Sequence, residues 1–108
     1  MRIKNKMTYY LKKKIVIEDD EGGKYPGYSE AIKIEANIYP ASGKLQAEIY
    51  GERLNYILNM LYEGSESINE GDGICVYVSN DNEPDYKVIS IKKYSHLFIE
   101  LEKIWVIL

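Results

Sequence analysis

The stretch Tyr50–Tyr62, YGERLNYILNMLY, admits two readings, and the choice between them decides the fold. At helical spacing Leu54, Ile57, Leu58 and Leu61 form one apolar stripe, with Gly64 available as a stop. At strand spacing Leu54, Tyr56, Leu58, Met60 and Tyr62 share one face, opposite Arg53, Asn55 and Asn59. Asn and Tyr are weak helix formers, and both recur within the stretch. The segments around it alternate as strands do, at the even spacing of a small barrel or sandwich. Residues 52–62 are therefore expected to be a strand.

Working outward, AIKIEANIY (Ala31–Tyr39) is the clearest strand, with Ile32, Ile34, Ala36 and Ile38 alternating with Lys33, Glu35, Asn37 and Tyr39. PASGK then turns the chain, and LQAEIY resumes the alternation through Leu45, Ala47 and Ile49, so the two segments read as a hairpin. Upstream, MTYYLKKKIVIEDD reads as a first strand with Leu11, Ile15 and Ile17 on one side. Asp19–Ser29, DDEGGKYPGYS, has no periodicity and reads as a long loop, of the kind that is often functional. Downstream, Asp72-Gly73 signals a turn before Ile74, Val76 and Val78, and SNDNEPDY is a loop. A last strand pair carries Val88 and Ile91 in one member and Leu97, Ile99 and Leu101 in the other. The expected fold is a single all-β domain over residues 1–108, a small antiparallel β-barrel with a long loop after its first strand.

Composition agrees with a globular domain: 108 residues leave room for one core, with 45% hydrophobic and 29% charged residues. Eleven tyrosines against one Phe and one Trp suit strands, and also surfaces that a partner covers. A net charge of −3 gives no global field for nucleic acid. The single cysteine, Cys75, excludes an internal disulfide and fits a reducing compartment. No apolar run approaches a membrane span, and the basic N-terminus lacks a signal-peptide core, so synthesis in the cytosol is expected. The apolar segment Ile104–Leu108, IWVIL, is expected to dock, on its own core or on a neighbouring subunit, since burying each large side chain is worth roughly 1.5–3 kcal/mol.

Chemistry is sparse. His96, the only histidine, follows Ser95, and adjacent strand residues point to opposite faces. Gly23-Lys24 and Gly43-Lys44 lack phosphate-loop spacing and read as turns. The acidic runs Asp19–Glu21 and Asn80–Asp85 lack the ligand pattern of a calcium loop. Glu100 and Glu102 share a strand face as a charged surface. No enzyme, metal or cofactor is expected. The cluster Arg2, Lys4, Lys6, Lys12, Lys13 and Lys14 with Tyr9 and Tyr10 is either a lysine-blunted edge strand or a surface for single-stranded nucleic acid, as in an OB-type barrel.

The order of motifs resembles the small head-closure, or head–tail connector, proteins of tailed phages, especially those of PBSX-like defective prophages. The resemblance rests on ANIYPASGKLQAEIYGERLNYILNML, INEGDGICVYV and EPDYKVISIKKYSHLFIELEKI, covering roughly residues 31 to 104. Its marks are the Tyr50-Gly51 step, Gly71-Asp72 before a strand, the series Pro84, Tyr86, Val88 and Ile91, and the last strand from His96. The resemblance implies a non-catalytic β-barrel whose homo-oligomeric ring sits between portal or adaptor and tail-terminator or tail-tube proteins, near packaged DNA and away from membranes. It also implies assembly in the host cytoplasm and a final place in the virion neck or tail collar. Contacts with neighbours are then expected at Tyr25, Pro26 and Tyr28 in the long loop, at Tyr50 and Arg53 by the Tyr-Gly step, and at Trp105.

Overall fold

The computed structural model describes residues 3–104, and Trp105–Leu108 lie outside them. Among the described residues eight strands run in chain order: β1 (Met7–Lys12), β2 (Lys14–Glu18), β3 (Lys24–Tyr28), β4 (Ile32–Pro40), β5 (Ile57–Tyr62), β6 (Gly73–Cys75), β7 (Tyr86–Lys93) and β8 (Leu97–Lys103). Between β4 and β5 lie a short helix, α1 (Lys44–Tyr50), and a 3-10 turn, Gly51–Tyr56. Six strands close an antiparallel barrel in the order β1-β4-β5-β8-β7-β6, and β2 pairs only with β3. The all-β barrel expected from the sequence is the fold.

The barrel consists of two antiparallel meanders, β1-β4-β5 and β6-β7-β8, joined where β5 meets β8 and where β1 meets β6. These two seams lie on opposite sides of the ring. The interior holds Leu11, Ile34, Ala36, Leu58, Met60, Tyr62, Ile74, Val88, Ile99 and Leu101, the inward faces that the alternation marks. Val88 and Ile91 both turn toward this core despite their odd spacing, because a bulge between Val88 and Ser90 shifts the register of β7 by one. Ile68, from the loop between β5 and β6, is buried in the same cluster.

Three expectations are corrected. LQAEIY is helix α1 rather than a strand: Leu45 and Ile49 are exposed, at 67% and 57%, while Gln46 and Tyr50, one turn apart, face the barrel. Residues 52–62 are strand only from Ile57 onward; Leu54 and Tyr56 belong to the 3-10 turn. The hairpin partner of β4 is therefore β5, reached after the helical excursion. Finally, the first strand breaks at Lys13. Beyond β1 the chain leaves the barrel before the expected loop begins, and the excursion is a two-stranded ribbon and not an irregular loop: β2 forms its first strand, and Asp19–Ser29 supplies its turn and the whole of β3.

Candidate functional site

The ribbon β2–β3 is the feature that leaves the barrel, and two aspartates define it. At its tip, Asp19 Oδ1 accepts the backbone N–H groups of Glu21 (3.0 Å) and Gly23 (2.7 Å), and Gly22 takes φ 84°. The acidic run Asp19–Glu21 is thus a self-capped turn. At its base, Lys13 and Ser29 pair: Ser29 N–H donates to the Lys13 carbonyl (2.8 Å), and the Lys13 N–H donates to Ser29 Oγ (2.9 Å). Beneath them Asp72 is buried. Its Oδ1 accepts the Lys14 N–H (2.9 Å), and its Oδ2 accepts the Asn69 N–H (2.8 Å) and the Lys13 ammonium. The turn expected at Asp72-Gly73 falls one step earlier, at Asn69–Asp72, and Gly73 opens β6.

The pairing register sorts the ribbon into two faces. Lys14, Val16 and Glu18 stand with Tyr28, Pro26 and Lys24 on one, and Ile15 and Ile17 with Gly27 and Tyr25 on the other. Ile17 lies across Gly27, where an added Cβ would meet its Cδ1 at 2.2 Å. Val16 (69%), Tyr25 (48%) and Ile15 (40%) are exposed. A depression of about 590 Å³ is lined by Lys14, Ile15, Val16, Lys24, Tyr25 and Pro26. Of the residues expected to meet a partner, Tyr25 and Pro26 are exposed on this arm. Tyr28 is half-buried at its base, its ring close to Gly73 beside Pro84, and burial raises its phenol pKa.

Tyr50 and Arg53 occupy the opposite seam. Arg53 makes a two-pronged ion pair with Glu102, Nε to Oε2 at 2.8 Å and a terminal nitrogen to Oε1 at 2.9 Å, and its guanidinium lies 5.5 Å from the Tyr50 ring centre. The hydrogen bonds from Arg53 hold the Glu102 carboxyl below its usual range. Under α1, Gln46 Nε2 bridges Asn59 Oδ1 (2.7 Å) and Glu100 Oε2 (2.9 Å), both on buried residues. Burial, and then a hydrogen bond with Glu100, push the Tyr50 phenol up to about 12. Glu100 is therefore part of a covered polar seam and not an open charged surface. Leu45 and Ile49 face solvent on the outer side of this helix. Trp105 lies outside the described residues.

The remaining candidates fall elsewhere. β1 is no edge strand, since β4 and β6 flank it. The ammonium of Lys6 pairs with Glu63, that of Lys12 donates to the Asn82 carbonyl, and that of Lys13 binds Asp72 and the Ser67 carbonyl. Ser95 and His96 do approach, Oγ to Nδ1 at 3.3 Å, because they sit in the turn between β7 and β8 and not along a strand. Gly43-Lys44 does open a helix, of seven residues. No group of three or more His, Cys, Asp or Glu among the described residues is placed to hold a metal ion.

Sequence reasoning missed Asp72, Gln46 and Asn59. The only local signal for Asp72 was its glycine neighbour, which reads as a turn; Gln46 and Asn59 act through partners distant in sequence. No known family model matches the chain, and no curated protein or solved structure matches it.

Proposed function

We propose that this chain is a non-catalytic assembly subunit, forming a connector or collar ring that joins the head, through its portal or adaptor, to the tail of a phage or prophage-derived particle. The observation that carries the reading is the placement of two exposed apolar surfaces on opposite sides of one barrel. The arm, with Ile15 and Tyr25 on one face, is anchored at the β1–β6 seam, and Leu45 and Ile49 stand over the β5–β8 seam. A contact between unlike patches on opposite sides of a subunit propagates from copy to copy, and a ring results when the rotation closes. A two-stranded ribbon is at best marginally stable alone in water, so an arm with this much exposed apolar surface suits burial against a neighbour. The sequence resemblance supplies the particle and the neighbours above and below the ring.

The test is a pull-down of the tagged chain from cells producing the particle, with bound proteins and nucleic acid identified. Untagged copies together with portal, adaptor or tail proteins are expected, and Ile15→Asp and Leu45→Asp should each abolish the self-contact while the subunit stays folded. Recovery of nucleic acid alone would overturn this reading in favour of an OB-type barrel binding single strands. The internal engagement of Lys6, Lys12 and Lys13 weighs against that alternative.

A further inference from the structure

We infer that charge specifies the contact between neighbouring subunits: Lys14 and Lys24 of the arm meet Glu48 and Glu52 on the helical excursion of a second copy of this chain. The inference rests on the reading of the chain as a self-assembling subunit, and it names what occupies the arm's depression. That depression takes side chains from both faces of the ribbon, Ile15 and Tyr25 as well as Val16 and Pro26, with Lys14 and Lys24 beside them. Each of these residues is exposed. The outer side of α1 carries the opposite charge. Glu48 follows Leu45 by three residues, and Glu52, in the 3-10 turn, follows Ile49 by three. At that spacing the two carboxylates border the aliphatic pair, and Leu45, Glu48, Ile49 and Glu52 are all exposed.

These four charges are not spent within the subunit. Lys6, Lys13 and Arg53 pair with Glu63, Asp72 and Glu102, whereas among the described residues Lys14, Lys24, Glu48 and Glu52 make no ion pair. Glu18 stands opposite Lys24 in the ribbon without reaching it. The other acids of the arm, Asp19, Asp20 and Glu21, gather at its tip, where Asp19 caps the turn. Lys44, at the start of α1, is the one cation on that helix. The arm leaves the barrel at the β1–β6 seam and α1 covers the β5–β8 seam, so the two patches meet only between copies. Burying Leu45 and Ile49 against Ile15, Val16 and Tyr25 drives water from around the lysine–glutamate pairs, which strengthens them. Arm on arm, or helix on helix, would set like charges face to face. The charges therefore select the head-to-tail contact that builds a ring and reject the two-fold one that ends at a dimer.

The test mixes two charge-reversed full-length chains. Lys14→Glu with Lys24→Glu reverses the arm, and Glu48→Lys with Glu52→Lys reverses the helix. Sedimentation velocity at low salt should show the natural chain self-associating and each reversed chain, alone, binding itself roughly tenfold more weakly or worse. Mixed in equal amounts, the two reversed chains should regain the natural affinity, because every arm then finds a helix of opposite sign. The natural contact should also weaken in about 1 M salt, where the Debye length falls to about 3 Å. Lys24→Glu puts a carboxylate opposite Glu18, so hydrogen exchange in β2 and β3 checks that the ribbon is intact. If it opens, Lys14→Gln with Lys24→Gln replaces that variant and should weaken association and remove its salt dependence. A natural chain that stays monomeric at low salt up to its solubility overturns the inference. So do variants that associate as the natural chain does and gain nothing from mixing. The phage-particle reading fails separately, when the charge-dependent contact is present but the pull-down holds no portal, adaptor or tail protein.

Discussion

Asp72 and Lys14 are 58 residues apart in sequence, and the Asp72 carboxylate accepts the Lys14 backbone N–H at 2.9 Å. That bond joins the loop before β6 to the first residue of the arm. The same carboxylate also holds Lys13 and Asn69, so its removal leaves the Lys14 and Asn69 N–H groups without this acceptor and the Lys13 ammonium with the Ser67 carbonyl but no counter-charge there. Asp72→Ala is expected to cost about 3 kcal/mol, the lower end for breaking a buried charge pair, because Lys13 keeps part of its side chain in water. Asp72→Asn should recover only part of this, since its NH2 group points at a donor. Urea denaturation measures both; a change under 1 kcal/mol for the alanine variant would contradict the anchoring role.

At Gly73 in β6, Tyr28 of the arm and Pro84 of the loop before β7 both press on the barrel backbone. A methyl group there would stand 2.4 Å from Pro84 Cγ and 2.7 Å from its Cβ, and a proline ring cannot swing aside. Gly73→Ala should therefore destabilise by about 1–3 kcal/mol, seen as a lower Tm. Gly27→Ala also introduces a clash, but against the far end of a half-exposed Ile17, which can turn away. It should cost less than Gly73→Ala, and the reverse order would count against this packing.

Helix α1 inverts the usual pattern, with its aliphatic residues outward and its glutamine inward. Gln46→Ala should cost about 1–3 kcal/mol by leaving Asn59 and Glu100 short of a partner beneath the helix. Leu45→Lys should change the stability of the isolated subunit by no more than about 0.5 kcal/mol. Were Leu45 on an inward strand face, the lysine would be the more damaging change, so the pair of variants separates the two conformations by thermal melting.

The β5–β8 seam carries two titrations of opposite sense. Tyr50 has its phenol raised from 10.0 to about 12. Its neutral form is the one the fold prefers, so its contribution is complete below pH 10 and is lost as the pH climbs toward 12. A difference titration of tyrosinate absorbance between the natural chain and Tyr50→Phe should show the missing group ionising near pH 12; ionisation near 10 would place Tyr50 in water. Glu102 is lowered from 4.5 by its hydrogen bonds with Arg53, so its contribution is present above that pH and lost as the pH falls through the lowered value. Arg53→Ala should flatten that acid limb of the melting curve, and only slightly, because the guanidinium is largely exposed.

The sequence by itself determined the barrel. In β4, in β5 and in β8 the apolar residues recur at every second position, and a strand with one buried face must do this wherever it pairs. Tyr25 and Pro26 were legible as groups outside that core for a similar reason, being set among turn residues with no periodic face to join. What the tertiary structure decided lies in the two excursions. LQAEIY alternates as well as any strand, and over two helical turns that pattern does not distinguish the two periods. It becomes a helix because Gln46 and Tyr50, one turn apart, meet Asn59 and Glu100, side chains paired across β5 and β8 and hidden from local reading. Likewise MTYYLKKKIVIE breaks at Lys13 because a carboxylate almost sixty residues away binds its side chain and the next backbone N–H, turning β2 off the barrel to pair with β3. Periodicity records which side chains are apolar; where a buried polar group finds its partner is settled only when the barrel closes.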